Sequence, residues 1–151
     1  MPARRVALPS TLLAAALVTA AAGCGGGRLS HGDFVRRADA VCSAFRKAAI
    51  PIARPRDYAA IVTYVNKTLP LYEAARLKLA ALKPPTQDLP IVRTWLVADK
   101  NIAVALHDLG EAGLRHDFAG VSAAAGTVQA EGVASRHAAA ALGLQVCSTV
   151  P

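Results

Sequence analysis

The sequence predicts an all-α fold: an antiparallel, up-down four-helix bundle closed by one disulfide. Three observations lead there. Alanine, the strongest intrinsic helix former, recurs along the whole chain. Apolar residues return at steps of three and four in four segments, each bounded by proline, glycine or a capping side chain. No stretch alternates apolar and polar residues as a half-buried strand would. With 151 residues there is room for one ordinary domain.

The first helix opens at Ser30-His31-Gly32-Asp33, a serine followed three residues on by an acid, as in a capping box. Phe34, Ala38, Val41, Phe45 and Ala48 form its apolar stripe, flanked by Val35 and Cys42, with Arg36, Arg37, Ser43 and Lys47 opposite. Pro51 and Pro55 stop it. Asp57 can cap the second helix, whose apolar positions include Tyr58, Ile61, Val65, Leu69, Tyr72, Leu79 and Leu82. Pro70 lies inside it, and a kink is expected there. Pro84-Pro85 ends it. Thr86 or Asp88 is expected to cap the third helix, which carries Ile91, Trp95, Ala98, Ile102, Leu106 and Leu109 and is weakened at its end by Gly110 and Gly113.

His116-Asp117 marks a turn, and Asp117 is a good N-cap for a fourth helix anchored by Val121, Ala125, Val128 and Leu142. Gly126 and Gly132 each cost that helix about 1 kcal/mol against alanine unless they permit close packing. Ala141-Leu142-Gly143-Leu144 has the pattern of a Schellman stop.

Residues 1–23 have the three zones of an export signal: two arginines near the start, an apolar run, then small residues. As a transmembrane helix the run is marginal, because alanine contributes little. Ending on Ala21-Ala22-Gly23-Cys24, it resembles a bacterial lipoprotein signal, with Ala21 where leucine or valine is usual. That resemblance implies cleavage before Cys24 and a diacylglyceryl thioether on its sulfur. The alternative is ordinary cleavage after Ala22, which leaves Cys24 a free thiol and the protein secreted. Residues 24–29 then read as a flexible Gly-rich tether, and 30–151 as the helical bundle domain.

Cysteine arithmetic bears on the choice. An exported protein meets an oxidising compartment, where cysteines are normally paired, and three is an odd number. With Cys24 lipidated, Cys42 and Cys147 remain as one pair, joining the first helix to the segment after the last. Closing a loop of about 100 residues is worth roughly 4.7 kcal/mol in the chain-entropy description. An alanine-rich core buries little area per residue and needs such a staple.

The segments FVRRADAVC, LKLAALKPP and ALGLQVC, covering most of residues 30–147, resemble a group of small exported or lipid-anchored helical proteins of high-GC Gram-positive bacteria. The resemblance implies the fold and the disulfide. It carries over no catalytic residue.

The formal charge of +7 includes Arg4 and Arg5; without them Lys+Arg falls from 17 to 15 against 10 acids, leaving +5. The cations are scattered and few aromatics interleave with them, so nucleic acid is not an expected partner. An envelope protein or an acidic glycopolymer remains one, beside the membrane itself.

A search for chemistry yields no catalytic constellation and no metal site. His31, His107, His116 and His137 form no i, i+4 pair, and no Glu-x-x-His occurs. Ser122 lacks the setting of a nucleophile elbow. Ser135 and His137 fall on different helix faces. Asp39, at the edge of the first stripe, is either an ion pair or helix-edge position, or else a polar contact buried in the bundle or part of a binding groove. Trp95 and Tyr72 either flank an apolar pocket or belong to the core. The expectation is a non-enzymatic lipoprotein on the outer face of the cytoplasmic membrane, a binding or structural module without resident cofactor. The alternative is a carrier of an apolar ligand, or of a cofactor such as haem, between the helices.

Overall fold

The computed structural model describes residues 27–150; the leader and Cys24 lie outside the described residues. Four helices follow one another: α1 (His31–Ala49), α2 (Tyr58–Ala80), α3 (Leu89–Leu114) and α4 (Phe118–Ala141). Short 3₁₀ turns at Thr86–Asp88 and Cys147–Thr149 precede α3 and follow α4. The described residues contain no strand, and the helices pack as the antiparallel bundle predicted.

Most boundaries are set by the side chains that the sequence singles out. Ser30 Oγ accepts from the Asp33 amide at 3.1 Å. Asp57 accepts from Ala60 N at 2.7 Å and Asp117 from Gly120 N at 3.0 Å. Each cap satisfies one of the N–H groups that a helix start leaves unpaired. At the end of α4, Gly143 takes a φ of 77°, while its amide bonds Ala140 O at 2.9 Å and that of Leu144 bonds Ala139 O at 3.0 Å. That is a complete Schellman closure. The end of α3 repeats it without glycine: His116 stands at φ 52°, and the amide of Asp117 reaches Ala112 O at 2.9 Å. The His116 ring stacks on Tyr58 at 5.0 Å.

Some expectations are corrected. Asp88 stands at the N-cap of α3 but makes no capping bond; its Oδ2 pairs instead with His31 Nδ1 at 2.6 Å, fastening α3 to α1. In the first half of α4 the buried alanine is Ala124, while Ala125 is exposed, one position off the expected stripe. Ala48 is exposed as well, so the apolar stripe of α1 ends at Phe45. The glycines that permit close packing against α2 are on α3. A Cβ on Gly110 would sit 3.0 Å from Val65 Cγ1, and one on Gly113 3.0 Å from Ile61 Cγ2. Gly126 meets nothing within 4 Å. α2 runs through Pro70 as one helix of 23 residues.

The bundle is uneven. α3 packs on α2 and most extensively on α4, whereas α1 lies on α2 and on the C-terminal segment. Leu142 and Leu144, both fully buried, plug the seam between α1 and α4. Cys42 and Cys147 are bonded across it, with Cα atoms 5.2 Å apart and 105 positions between them. Beside the bridge, Asp39 Oδ1 accepts from the amides of Val146 at 2.9 Å and Cys147 at 3.1 Å, and Oδ2 from Gln145 at 2.9 Å. Asp39 is therefore the polar clamp of the C-terminal segment rather than an ion pair. No helix of the described residues is long and apolar enough to cross a membrane.

Candidate functional site

The apolar core is in two pieces. One gathers Phe34, Ala38, Leu79, Trp95, Ala139 and the disulfide near the start of α1. The other gathers Val65, Ile102, Leu106, Leu109 and Ala124 toward the opposite end. Polar side chains from three helices meet between them. Asp99 Oδ1 accepts from Tyr72 Oη at 3.1 Å and from Ser135 Oγ at 2.7 Å, and Ser135 Oγ accepts from Trp95 Nε1 at 3.0 Å. The other oxygen, Asp99 Oδ2, has no hydrogen-bond partner among the described residues.

An ionised carboxylate is costly in such surroundings. Burial pushes the Asp99 carboxyl above the usual carboxylate range, against the opposing pull of the hydrogen bonds from Ser135 and Tyr72 and of the Arg76 charge. Burial, with Asp99 beside it, also pushes the Tyr72 hydroxyl upward. When protonated, Asp99 keeps accepting at Oδ1 and gains a proton to donate at Oδ2.

This network lines a cavity of about 270 Å³ between α2, α3 and α4. Its walls are Phe45, Leu79, Trp95, Ile102, Val128 and the Cys42–Cys147 bridge. Arg76 and Arg136 stand at its rim. Arg76 is paired with Glu73 at 2.7 Å. Arg136 has no acidic partner among the described residues, and its guanidinium passes 3.3 Å from where a Cβ on Gly132 would be.

A second cavity, of about 310 Å³, opens between the end of α1 and the middle of α2 and α3. It shares Phe45, Tyr72, Ile102, Val128 and Val150 with the first. Phe45 and Tyr72 meet edge to face, with ring centroids 5.5 Å apart, as the partition between them. Thr68 lines the second cavity, and its hydroxyl is buried without a partner.

Of the residues singled out from sequence, Trp95 and Tyr72 come together here and do flank a pocket, with Cys42 and Cys147 as part of its wall. Cys24 lies outside the described residues. All four histidines are exposed and none lines either cavity, so neither offers haem a histidine ligand. Among the described residues no three His, Cys, Asp or Glu side chains group to hold a metal. Asp99 was missed, and Ser135 was weighed only as a nucleophile. The signal for Asp99 was present: it stands four residues after Trp95 and three before Ile102, on the apolar stripe itself.

These features define a class: a disulfide-closed helical bundle with an apolar cavity and one buried polar network. Comparison with models of protein families, with curated proteins and with solved structures finds no match.

Proposed function

We propose that the chain is an exported, lipid-anchored, non-enzymatic binding module that takes an apolar ligand between its helices. The cavity carries this reading. It joins apolar walls to a few convergent polar groups, the usual make-up of a small-molecule site. A protein of this size rarely leaves a void in its centre, because interiors are packed to crystal density. Ser135 has no histidine or lysine beside it in the cavity to activate it, which favours binding over catalysis. The Cys42–Cys147 bond leaves Cys24 as the one cysteine not spoken for, which supports its lipidation on the outer face of the cytoplasmic membrane.

Nile red, an uncharged apolar dye, tests the cavity with Trp95, the single tryptophan, as energy donor. Saturable one-to-one transfer is expected, and lost in Val128→Phe, which narrows the shared wall. A dye that never saturates, or that binds the variant equally, overturns the reading. Separately, Cys24→Ser is expected to release the protein from membranes; continued fractionation with them refutes the anchor.

A second reading draws on the end of the bundle far from residue 30. Ile50, Leu114 and Phe118 are exposed there at 74%, 62% and 76%. Such a patch suits an envelope protein partner, and crosslinking in intact cells would capture it.

A further inference from the structure

We infer that the ligand is a single-chain amphiphile with an anionic head, its head held at Arg136 and Arg76 and its tail passing Phe45 and Tyr72 into the second cavity. This rests on the cavity being a binding site, and adds what the site selects.

The head position follows from charge. At the rim of the first cavity two guanidinium groups face one paired carboxylate, Glu73, so one positive charge is left uncompensated. That charge is Arg136, half-buried and placed over Gly132. Guanidinium presents a planar fork of donors suited to a carboxylate or phosphate. The only acid inside the cavity is Asp99, and it is 5% exposed with Oδ2 unpartnered. Burial pushes its carboxyl upward, so it holds a proton more readily than an exposed carboxylate and opposes an anion less. A cationic head would meet two arginines at the rim, one of them without an acidic partner among the described residues.

The tail position follows from the walls. Below the polar network the first cavity is lined by Phe45, Ile102, Val128 and Val150, and these same residues form the near wall of the second. Beyond them the second is lined by Ala49, Ile50, Ile52 and Leu106. Each cavity alone is at the small end for a ligand; joined past the Phe45–Tyr72 pair they fall within the usual 300–1,000 Å³ or so. The partition is two aromatic side chains in edge contact, which open by rotamer change rather than by moving backbone. A bulky ring system does not fit two chambers joined at a constriction, whereas an alkyl chain does. Arg46 and Arg54 also border the second cavity, but both are exposed, whereas Arg136 is half-buried, so they are poorer seats for the head.

The test titrates the full-length chain carrying Cys24→Ser with four probes: hexadecanoate, hexadecyl phosphate, methyl hexadecanoate and hexadecyltrimethylammonium. Binding is read from Trp95 emission, using forms brominated near the head or near the tail end. Both anions are expected to bind at least about tenfold more tightly than the ester or the cation. Bromine near the head should quench Trp95 more than bromine at the tail end. Arg136→Gln should weaken the anions by about tenfold and leave the ester unchanged, while Arg46→Gln should change neither. Preference for phosphate over carboxylate would point to a phospholipid fragment, and the reverse to a free fatty acid; either supports the proposal. Equal binding of all four, or loss through Arg46→Gln instead of Arg136→Gln, overturns the anionic head or its position while leaving an apolar site intact. Nile red binding without binding of any alkyl probe overturns the tail. Failure of Nile red as well removes the cavity reading itself.

Discussion

Asp39 and Cys147 stand 108 positions apart and are joined by the carboxylate of one and the amide of the other, 3.1 Å apart, one helical turn from the disulfide that Cys147 makes with Cys42. Three consecutive amides share that carboxylate. The C-terminal segment is thus fixed twice, by a covalent bond and by a polar clamp. Asp39→Ala is expected to cost about 2–4 kcal/mol, since it leaves half-buried amides without their acceptor. Urea unfolding measures it; a loss below about 0.5 kcal/mol would show that the clamp is ornamental. Reduction of the bridge should cost about 4–5 kcal/mol for a loop of this length, seen as a lower urea midpoint with reductant.

Asp99 makes stability fall as pH rises. Its carboxyl titrates above the ordinary 3.8 in the folded state. Between these values the native state holds a proton that the unfolded chain has released, so stability decreases with rising pH through that window. Asp99→Asn keeps the acceptor for Tyr72 and Ser135 and does not titrate. The variant should therefore gain on the wild type as pH rises from about 4 to 7. Asp33, whose carboxyl is held low by Ser30 and Arg36, acts in the opposite sense and cancels in the comparison. A constant difference across that range would mean that Asp99 is not perturbed by folding.

Glycine to alanine is expected to have opposite signs at Gly113 on α3 and Gly126 on α4. Gly126→Ala meets nothing within 4 Å and should add up to about 1 kcal/mol. Gly113→Ala presses on Ile61 at 3.0 Å and Val62 at 3.3 Å, branched side chains with little room to turn, and should cost about 1–2 kcal/mol. Thermal unfolding of the two variants distinguishes them; equal shifts would refute the close approach of α2 to α3.

Thr68→Val should stabilise by about 1 kcal/mol, because it removes a buried hydroxyl with no partner while keeping the shape. Destabilisation would reveal a bond to that hydroxyl, and the unfolding midpoint decides.

The helices were legible in the sequence because they depend on local chemistry: Ser30, Asp57, Asp117 and Gly143 act on residues within a turn of themselves. The disulfide was legible because so few cysteines leave so few pairings. The site was not. Tyr72, Asp99 and Ser135 are separated by 27 and 36 positions, and only the packing angle of three helices decides that they meet. Asp88 shows the same limit, since a good capping residue was claimed by His31, 57 positions away. Ala124 and Ala125 differ only in which face they take, and an alanine-rich helix carries too little contrast to say.

At the start of the bundle, Arg28 Nη1 donates to Pro84 O at 3.0 Å and Leu29 N to Lys83 O at 2.8 Å. The chain is therefore pinned at Arg28, four residues after Cys24. An extended chain gains at most about 3.6 Å per residue, so a lipid on Cys24 would be within roughly 14 Å of that pin. This is about half the thickness of a bilayer's hydrocarbon core. On so short a leash the protein would have a fixed underside, with the α2–α3 loop against the headgroups. Ile50, Leu114 and Phe118 would then point outward, toward whatever lies in the wall.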